Sequence, residues 1–206
     1  MPAPRGYSRP EFHVPVTLQS AHAHRVVGRS LIRVARALYG IDVVLHAIGD
    51  ARQMEEVEGL VDGLLGAFAQ RLDAEIARVE ALKSANGIAA VPRYTNPSRV
   101  TFRISSPQLS QYANLIQALD RLTVGIDTLW LSGLFSNRQR ADAVYTWRNE
   151  LLSVGRRIVE IEARARDFAR RQGKEEEIAA GDAAATSVVV MDEEGGLAGD
   201  EEEIAT

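Results

Sequence analysis

Four arginines recur at helical spacing near the beginning of the chain, and their guanidinium groups are the first candidates for chemistry. Guanidinium forms bidentate hydrogen bonds with phosphate and carboxylate groups. On a predicted helix over residues 20–39 the set lies within roughly 80°, and His22 joins it. This arginine stripe consists of Arg25, Arg29, Arg33 and Arg36. The pattern is typical either of a solvated basic face or of a surface that contacts phosphate or an acidic partner.

A second polar set alternates with apolar residues in a predicted strand over 99–105. One face carries Val100, Phe102 and Ile104, and the other carries Arg99, Thr101, Arg103 and Ser105. In the DNA major groove arginine reads guanine, and threonine or serine adapts to several bases. The polar face therefore has the composition of a DNA-reading strand, although any solvent-facing strand of a half-buried sheet alternates in the same way.

Helix N-termini follow this strand and offer backbone N–H groups to phosphate. Ser106 followed by Pro107 predicts an N-cap and first helical residue. Ser136 and Gln139 form a capping box at the next helix, and Arg138 and Arg140 lie in its first turn. A helix N-terminus binds phosphate, so Ser136, Arg138 and Arg140 join the candidate DNA-binding residues.

Other chemistry is not predicted. His22 and His24 are two residues apart and point in different directions on a helix, so they are poor metal co-ligands. The chain has no cysteine, which excludes disulfides and thiolate ligands. No phosphate-cradling glycine loop or nucleophile elbow occurs. We expect no enzyme activity, no catalytic residue, no metal, no cofactor and no small-molecule substrate.

The elements that position these residues predict a mainly α protein with long amphipathic helices and two short strands. The first strand covers residues 11–19, and the first helix ends near Tyr39 with Gly40 after it. A long helix over 50–85 contains Gly59, Gly63 and Gly66, which predict a close helix crossing. The last helix keeps 3-4 spacing from Val144 to Phe168, a stripe that favours a partner surface and hence a homodimer.

Charge divides the chain into a basic body and an acidic tail. Residues 1–173 carry 23 cations and 17 carboxylates, whereas residues 174–206 carry one cation and 11 carboxylates. We predict an N-terminal arm and strand over 1–19, a helical region over 20–90, a strand and two helices over 91–172, and a disordered acidic tail over 173–206. Its only apolar run, Val188–Met191, is a candidate docking element. No membrane span or secretory signal is predicted, so we expect a cytoplasmic protein.

Five motifs stand out between residues 77 and 171: Tyr94-Thr95-Asn96-Pro97, Ser105-Ser106-Pro107-Gln108, Leu119-Asp120-Arg121-Leu122, Asp127-Thr128-Leu129-Trp130-Leu131-Ser132-Gly133 and Arg138-Gln139-Arg140. Through these motifs residues 77–171 resemble the AcaB-like family, whose members are encoded on conjugative plasmids and integrative conjugative elements. The helix with Trp147 extends it. The resemblance implies a ribbon-helix-helix-like regulator of transfer genes, with its ribbon at 99–105 and its phosphate-binding helix start at 136–140. The predicted helices are longer than in ordinary ribbon-helix-helix proteins, which implies an elaborated version.

These observations favour a homodimeric DNA-binding transcriptional regulator of a mobile element, which reads the major groove of double-stranded DNA with a dimeric β-ribbon. The alternative is a non-enzymatic helical scaffold or interaction protein of the conjugation machinery. The two differ in whether Arg99, Thr101 and Arg103 are exposed to solvent on a ribbon that is paired across a two-fold axis.

Overall fold

The computed structural model describes residues 10–48 and 50–185, and most of this part of the chain is helical. The elements are β1 (Phe12–Leu18), α1 (Ala21–Val26), a π-helical turn (Val27–Leu31), α2 (Ile32–Ile48), α3 (Ala51–Ala85), β2 (Ser98–Ile104), α4 (Pro107–Leu131), α5 (Asn137–Arg171) and α6 (Glu175–Ala185). The predicted class, mainly α with two short strands, is confirmed. Among the described residues, no helix combines the length and apolarity needed to cross a membrane.

The two strands pair with each other, antiparallel, within one chain. Phe12 lies opposite Ile104, and Leu18 lies opposite Ser98. Phe102 points inward and is 1% exposed. We expected β2 to pair with the same strand of a second copy, but its hydrogen-bonded neighbour is β1. The ribbon is therefore intramolecular, because β1 offers the same apolar alternation that a partner strand would offer.

The first helix differs from the prediction in its path and its end. Ser30 donates a hydrogen bond to the Val26 carbonyl over 2.6 Å, and the helix widens into the π-helical turn at this point. The helix then continues to Ile48, so the predicted end at Gly40 is wrong. Gly40 is buried, and a Cβ there would lie 2.6 Å from Glu162 Oε1. The glycine permits close approach of α5 and does not terminate the helix.

One hydrophobic core runs through both predicted halves of the body. It extends from Leu18 and Val34 through the α3 residue Leu65 to Leu119 and Ile158. Helix α4 contributes the most buried residues and packs against α3 and α5. We expected the apolar stripe of α5, from Val144 to Phe168, to pack against a second copy. This stripe is largely buried inside the core of one chain, because α2 and α4 cover it.

Close helix crossings occur at glycines other than those predicted. No atom lies within 4 Å of a Cβ built at Gly59, Gly63 or Gly66, so the predicted crossing is absent among the described residues. The close approaches are at Gly125, where a Cβ would lie 2.7 Å from Val79, and at Gly155, where it would lie 2.8 Å from the Tyr112 hydroxyl. These contacts join α4 to α3 and to α5.

The beginning of the acidic tail is ordered, contrary to the prediction. Residues 175–185 form α6, and Ile178 is buried against Val44 of α2 and Ala169 of α5. This single isoleucine packs into a small apolar cluster. Local sequence composition does not reveal such a long-range contact. The candidate docking run Val188–Met191 lies outside the described residues.

Candidate nucleic-acid interface

The outer face of the ribbon carries the side chains that the sequence predicted to read DNA. Arg99 and Thr101 are both exposed. Their antiparallel partners are Thr17 and Pro15, so these residues share the same outer face. No described carboxylate forms an ion pair with Arg99. The contribution of β1 to this face was missed, although its alternation from Phe12 to Leu18 was the available signal.

Arg103 lies at the other end of this face and is held in place by a carboxylate. Its Nη2 and Nε atoms donate to Glu11 Oε2 over 3.2 and 3.3 Å. His13, directly opposite Arg103, lies 3.0 Å from the same oxygen through its Nε2. Burial acts to raise the pKa of Glu11, but the hydrogen bonds from His13 and Arg103 outweigh it and lower the pKa below its ordinary value. Arg103 is thus partly shielded, unlike Arg99.

Ser105 lies just beyond the paired ribbon. It is exposed and lines a groove of about 570 Å³ together with Arg103 and Glu11. The next residue, Ser106, accepts a hydrogen bond from the Leu109 N–H over 3.2 Å and caps α4 as predicted.

The beginning of α5 has the predicted capping geometry. Ser136 Oγ accepts from the Gln139 N–H over 3.2 Å, and the Ser136 N–H donates to Gln139 Oε1 over 2.9 Å. Arg138 projects from this first turn with 92% of its side chain exposed, beside Asp142 at 3.6 Å. The turn therefore presents a nearly free guanidinium group next to a helix N-terminus.

Arg140 is engaged inside the molecule. Its Nε donates to Asp127 Oδ1, and its guanidinium carbon lies 4.5 Å from the centre of the Trp130 ring. The hydrogen bond that Arg140 donates to Asp127 outweighs burial and raises the pKa of Arg140. Tyr94 donates to the other Asp127 oxygen over 2.6 Å, and burial together with this bond raises the pKa of Tyr94. Arg140 thus has a structural contact, which reduces its availability to phosphate.

A second buried aspartate fixes the ribbon to α4. Asp120 accepts hydrogen bonds from the backbone N–H groups of Gln19 and Ser20, both over 2.8 Å. These residues join β1 to α1. Asp120 and Asp127 are seven residues apart, so they lie on the same face of α4, about 10 Å apart along its axis. In the sequence both residues stand out only as members of motifs. An aspartate pair at two-turn spacing in an apolar helix was the signal for an anchoring role.

The two anchors place the end of the ribbon and the first turn of α5 on the same side of α4. Asp120 holds the chain at Leu18–Ser20, next to the Thr17/Arg99 pair. Asp127 holds Arg140, and Trp130 donates to Asn137 over 2.7 Å. The first anchor lies next to the exposed Arg99, and the second fixes the first turn of α5, which carries the exposed Arg138.

The arginine stripe is exposed, but His22 does not belong to it. All four arginines of the stripe are exposed, and none has an ion pair with a described carboxylate. His22 is turned inward and meets the Tyr145 ring edge-on at 6.0 Å. Burial and the charges of Arg148 and Arg25 lower the pKa of His22. In the described part of the chain, no group of three or more potential metal ligands occurs.

The fold and this surface define a helical protein that carries an intramolecular two-stranded ribbon with a polar, arginine-bearing outer face. The chain is similar to AcaB from uropathogenic E. coli, seen in a crystal structure of the selenomethionine-containing protein. The identity is 41% and the TM-score 0.82, over 84% of this chain and 89% of the AcaB chain. The chain therefore belongs to the AcaB family, as the motifs in the sequence predicted. No protein-family model matches the chain, and no curated protein matches it either.

Proposed function

We propose that this protein is a non-enzymatic, cytoplasmic DNA-binding regulator of transcription on a conjugative or integrative mobile element, and that it binds double-stranded DNA as a homodimer. The observation that carries the proposal is the outer ribbon face, where Arg99 and Thr101 are exposed beside Thr17. A two-stranded ribbon fits the width of the major groove, and arginine there forms bidentate hydrogen bonds with guanine. Membership of the AcaB family supports the same function through the resemblance described above.

Contacts with the DNA backbone would come from the first turn of α5. Arg138 is exposed, and the capped helix N-terminus presents its backbone N–H groups on the same side of α4 as the ribbon end. Phosphate contacts of this kind position a protein on DNA without reading sequence. Arg103 would contact DNA only after it releases Glu11. The Glu11 carboxylate and a base or phosphate compete for the same guanidinium group.

The proposed complex differs from the dimeric ribbon that the sequence suggested. Each protomer already has a complete two-stranded ribbon, so a homodimer would bring two ribbons to one DNA site. Two-fold symmetric proteins bind two half-sites whose separation reflects the distance between the reading elements. The expected target is therefore an inverted repeat.

A selection experiment tests this function. The full chain is incubated with a pool of random-sequence duplexes, and the affinities of an enriched duplex and its scrambled counterpart are compared. We expect enrichment of an inverted repeat with two chains per duplex by sedimentation. Arg99→Ala should remove about 1–3 kcal/mol of discrimination at one base pair of each half-site.

The matched control is Arg157→Ala on α5, which removes the same charge from another exposed arginine without an ion pair to the described residues. It should leave discrimination unchanged, and neither variant should change the melting temperature. A pool that yields no enriched sequence, or equal losses in both variants, would contradict the proposed reading face.

An apolar groove favours the second candidate, an interaction protein of the conjugation machinery. The groove has a volume of about 290 Å³ and lies between the ends of α2 and α5 and the beginning of α3. Leu60 and Phe168, at its rim, are 57% and 45% exposed. Two results together would replace the first function by this second one. No duplex is enriched, and the double variant Leu60→Glu with Phe168→Glu no longer captures a defined protein of the conjugation machinery that the parent captures.

A further inference from the structure

The arginine stripe has no anionic partner among the described residues. Arg103, Arg140 and Arg166 each contact a carboxylate, whereas the four arginines of the stripe do not. Like charges three or four residues apart on a helix repel one another, which destabilises the helix. Any anionic chain that binds along the stripe therefore relieves this repulsion and stabilises the helix.

Helix α6 runs antiparallel to α2 and leads toward this stripe. Ile178 packs against Val44, and a Cβ at Gly181 would overlap the Val43 side chain. One residue later, Asp182 accepts a hydrogen bond from Arg166 over 2.6 Å, and Arg166 borders Gly40. As residue numbers rise along α6, the neighbouring residue numbers on α2 fall.

The end of α6 therefore approaches the stripe from one side. Asp182 is level with Gly40, which lies one helical turn beyond Arg36. Arg36 also lies on the α2 face that α6 covers, because it precedes Val43 by seven residues. The end of α6 at Ala185 is therefore close to Arg36, the last arginine of the stripe.

The following sequence has the complementary charge and a sufficient length. Residues 192–203 contain seven carboxylates and no cation: Asp192, Glu193, Glu194, Asp200, Glu201, Glu202 and Glu203. Asp192 is seven residues beyond Ala185, a reach of about 25 Å when extended. The stripe from Arg25 to Arg36 is about 17 Å long. The first carboxylates can therefore reach every arginine of the stripe.

We propose that residues 192–203 bind the arginine stripe of their own chain. The contact is an ion-pair network between carboxylates and guanidinium groups, and it covers the stripe against other polyanions. It does not depend on the proposed function, because it needs only the arrangement of charges. The effective concentration of a tethered segment is high, so a set of individually weak surface ion pairs is enough to keep the segment bound to the stripe.

The experiment uses the full chain with one spin label. Because the protein has no cysteine, Gly195→Cys provides a unique site for a nitroxide. At low salt we expect the amide NMR signals of residues 25–36 to be weaker while the nitroxide is paramagnetic than after it has been reduced. The intensity should return at roughly 1 M NaCl, where the Debye length falls to about 3 Å.

Two variants with equal charge loss distinguish a specific contact from general attraction. In the first, the four arginines of the stripe are replaced by Gln, and the intensity loss should disappear. In the second, four exposed α5 arginines without described ion pairs are replaced by Gln, and the intensity loss should persist: Arg156, Arg157, Arg164 and Arg171. Recovery in both variants, or a loss of intensity at the ribbon instead of the stripe, would overturn the proposal.

A mixed sample separates the chain's own tail from that of a second copy. Isotope-labelled protein without the nitroxide is combined with nitroxide-labelled protein that carries no isotope. We expect no intensity loss at residues 25–36 in this mixture. A loss equal to that in the doubly labelled chain would assign the contact to another molecule and overturn the proposal.

Discussion

Asp120 and Asp127 are nearly buried carboxylates that stabilise this fold, because each has two hydrogen-bond donors. Desolvation of a carboxylate is unfavourable unless such partners compensate for it. These aspartates, with Tyr94 and Trp130, belong to the motifs that carry the family resemblance. The resemblance therefore rests largely on residues that assemble the scaffold. The ribbon face with Arg99 and Thr101 lies outside those motifs, and the alternation of polar and apolar residues along the strand indicated it.

Phe102 and Phe12 form a matched pair of substitutions on the inner face of the ribbon. Phe102 is 1% exposed, whereas Phe12 is 75% exposed. Phe102→Ala should lower the free energy of unfolding by about 3–5 kcal/mol, because it removes a large buried side chain and leaves a cavity. Phe12→Ala should change it by less than about 0.5 kcal/mol. Chemical denaturation measures both, and similar values for the two variants would contradict the burial of the ribbon.

The acidic contact of Arg103 predicts a pH dependence at the ribbon. The folded-state pKa of Glu11 is lowered, so the contact stabilises the fold above the ordinary pKa of 4.5 and loses this contribution as the pH falls through the folded-state value. A carboxyl ¹³C titration should place the Glu11 midpoint below 4.5. In Arg103→Ala the midpoint should rise. If it is the same in both proteins, the Arg103 contact does not lower the pKa of Glu11.

At the scale of the elements, helix beginnings were predictable, as was the end of α3 at Ala85, but the end of the first helix was not. Ser106 and Ser136 each accept the N-cap hydrogen bond that the sequence indicated. An N-cap is decided by neighbouring residues, so a local pattern is sufficient. Gly40 looked like a helix end, but its neighbour Glu162 is more than 100 residues away in sequence. Close packing and chain reversal both select glycine, and only tertiary structure distinguishes them.

Two glycines test this distinction between packing and open surface. Gly155→Ala should lower the free energy of unfolding by about 1–3 kcal/mol, because the new methyl group would overlap the Tyr112 hydroxyl and Val34. Gly63→Ala on exposed α3 should raise it by about 0.5–1 kcal/mol through helix propensity. Thermal unfolding of both variants at two protein concentrations provides the measurement. Destabilisation by Gly63→Ala that grows with concentration would instead place a second copy on α3.

For the whole molecule, the sequence predicted both strands and the long helices, but not α6 or all of the packing partners. Both strands were identified, yet their pairing was assigned to two chains, because an apolar alternation fits a partner strand in either chain. The basic body and acidic tail were evident from charge alone. The path of α6 was not, since it depends on Ile178 reaching Val44 and Ala169 across the fold. Long-range contacts between compatible surfaces are the part that local patterns leave open.

The charge distribution of the whole molecule predicts a salt-dependent affinity for DNA under the proposed function. Each phosphate contact releases a counterion, so Arg138→Ala should weaken binding to all sequences and lower the slope of log affinity against log salt by about one. Arg157→Ala should leave the slope unchanged. Fluorescence anisotropy with duplex DNA over a range of NaCl concentrations checks both. Equal slopes for Arg138→Ala and the parent would exclude the first turn of α5 from the interface.

The intramolecular ribbon also determines when its outer face can form during translation. About 80 residues separate β1 from β2, so at roughly 5–20 residues per second β2 follows β1 by roughly 4–16 s. During this interval β1 has no strand to pair with, while the local contacts of α1 to α3 are free to form. The outer face with Thr17 and Arg99 comes into existence only when Ile104 has left the ribosome. A chain that is cut short before β2 therefore lacks this surface altogether, so under the proposed function a partly synthesised copy cannot compete with a complete one for the same DNA.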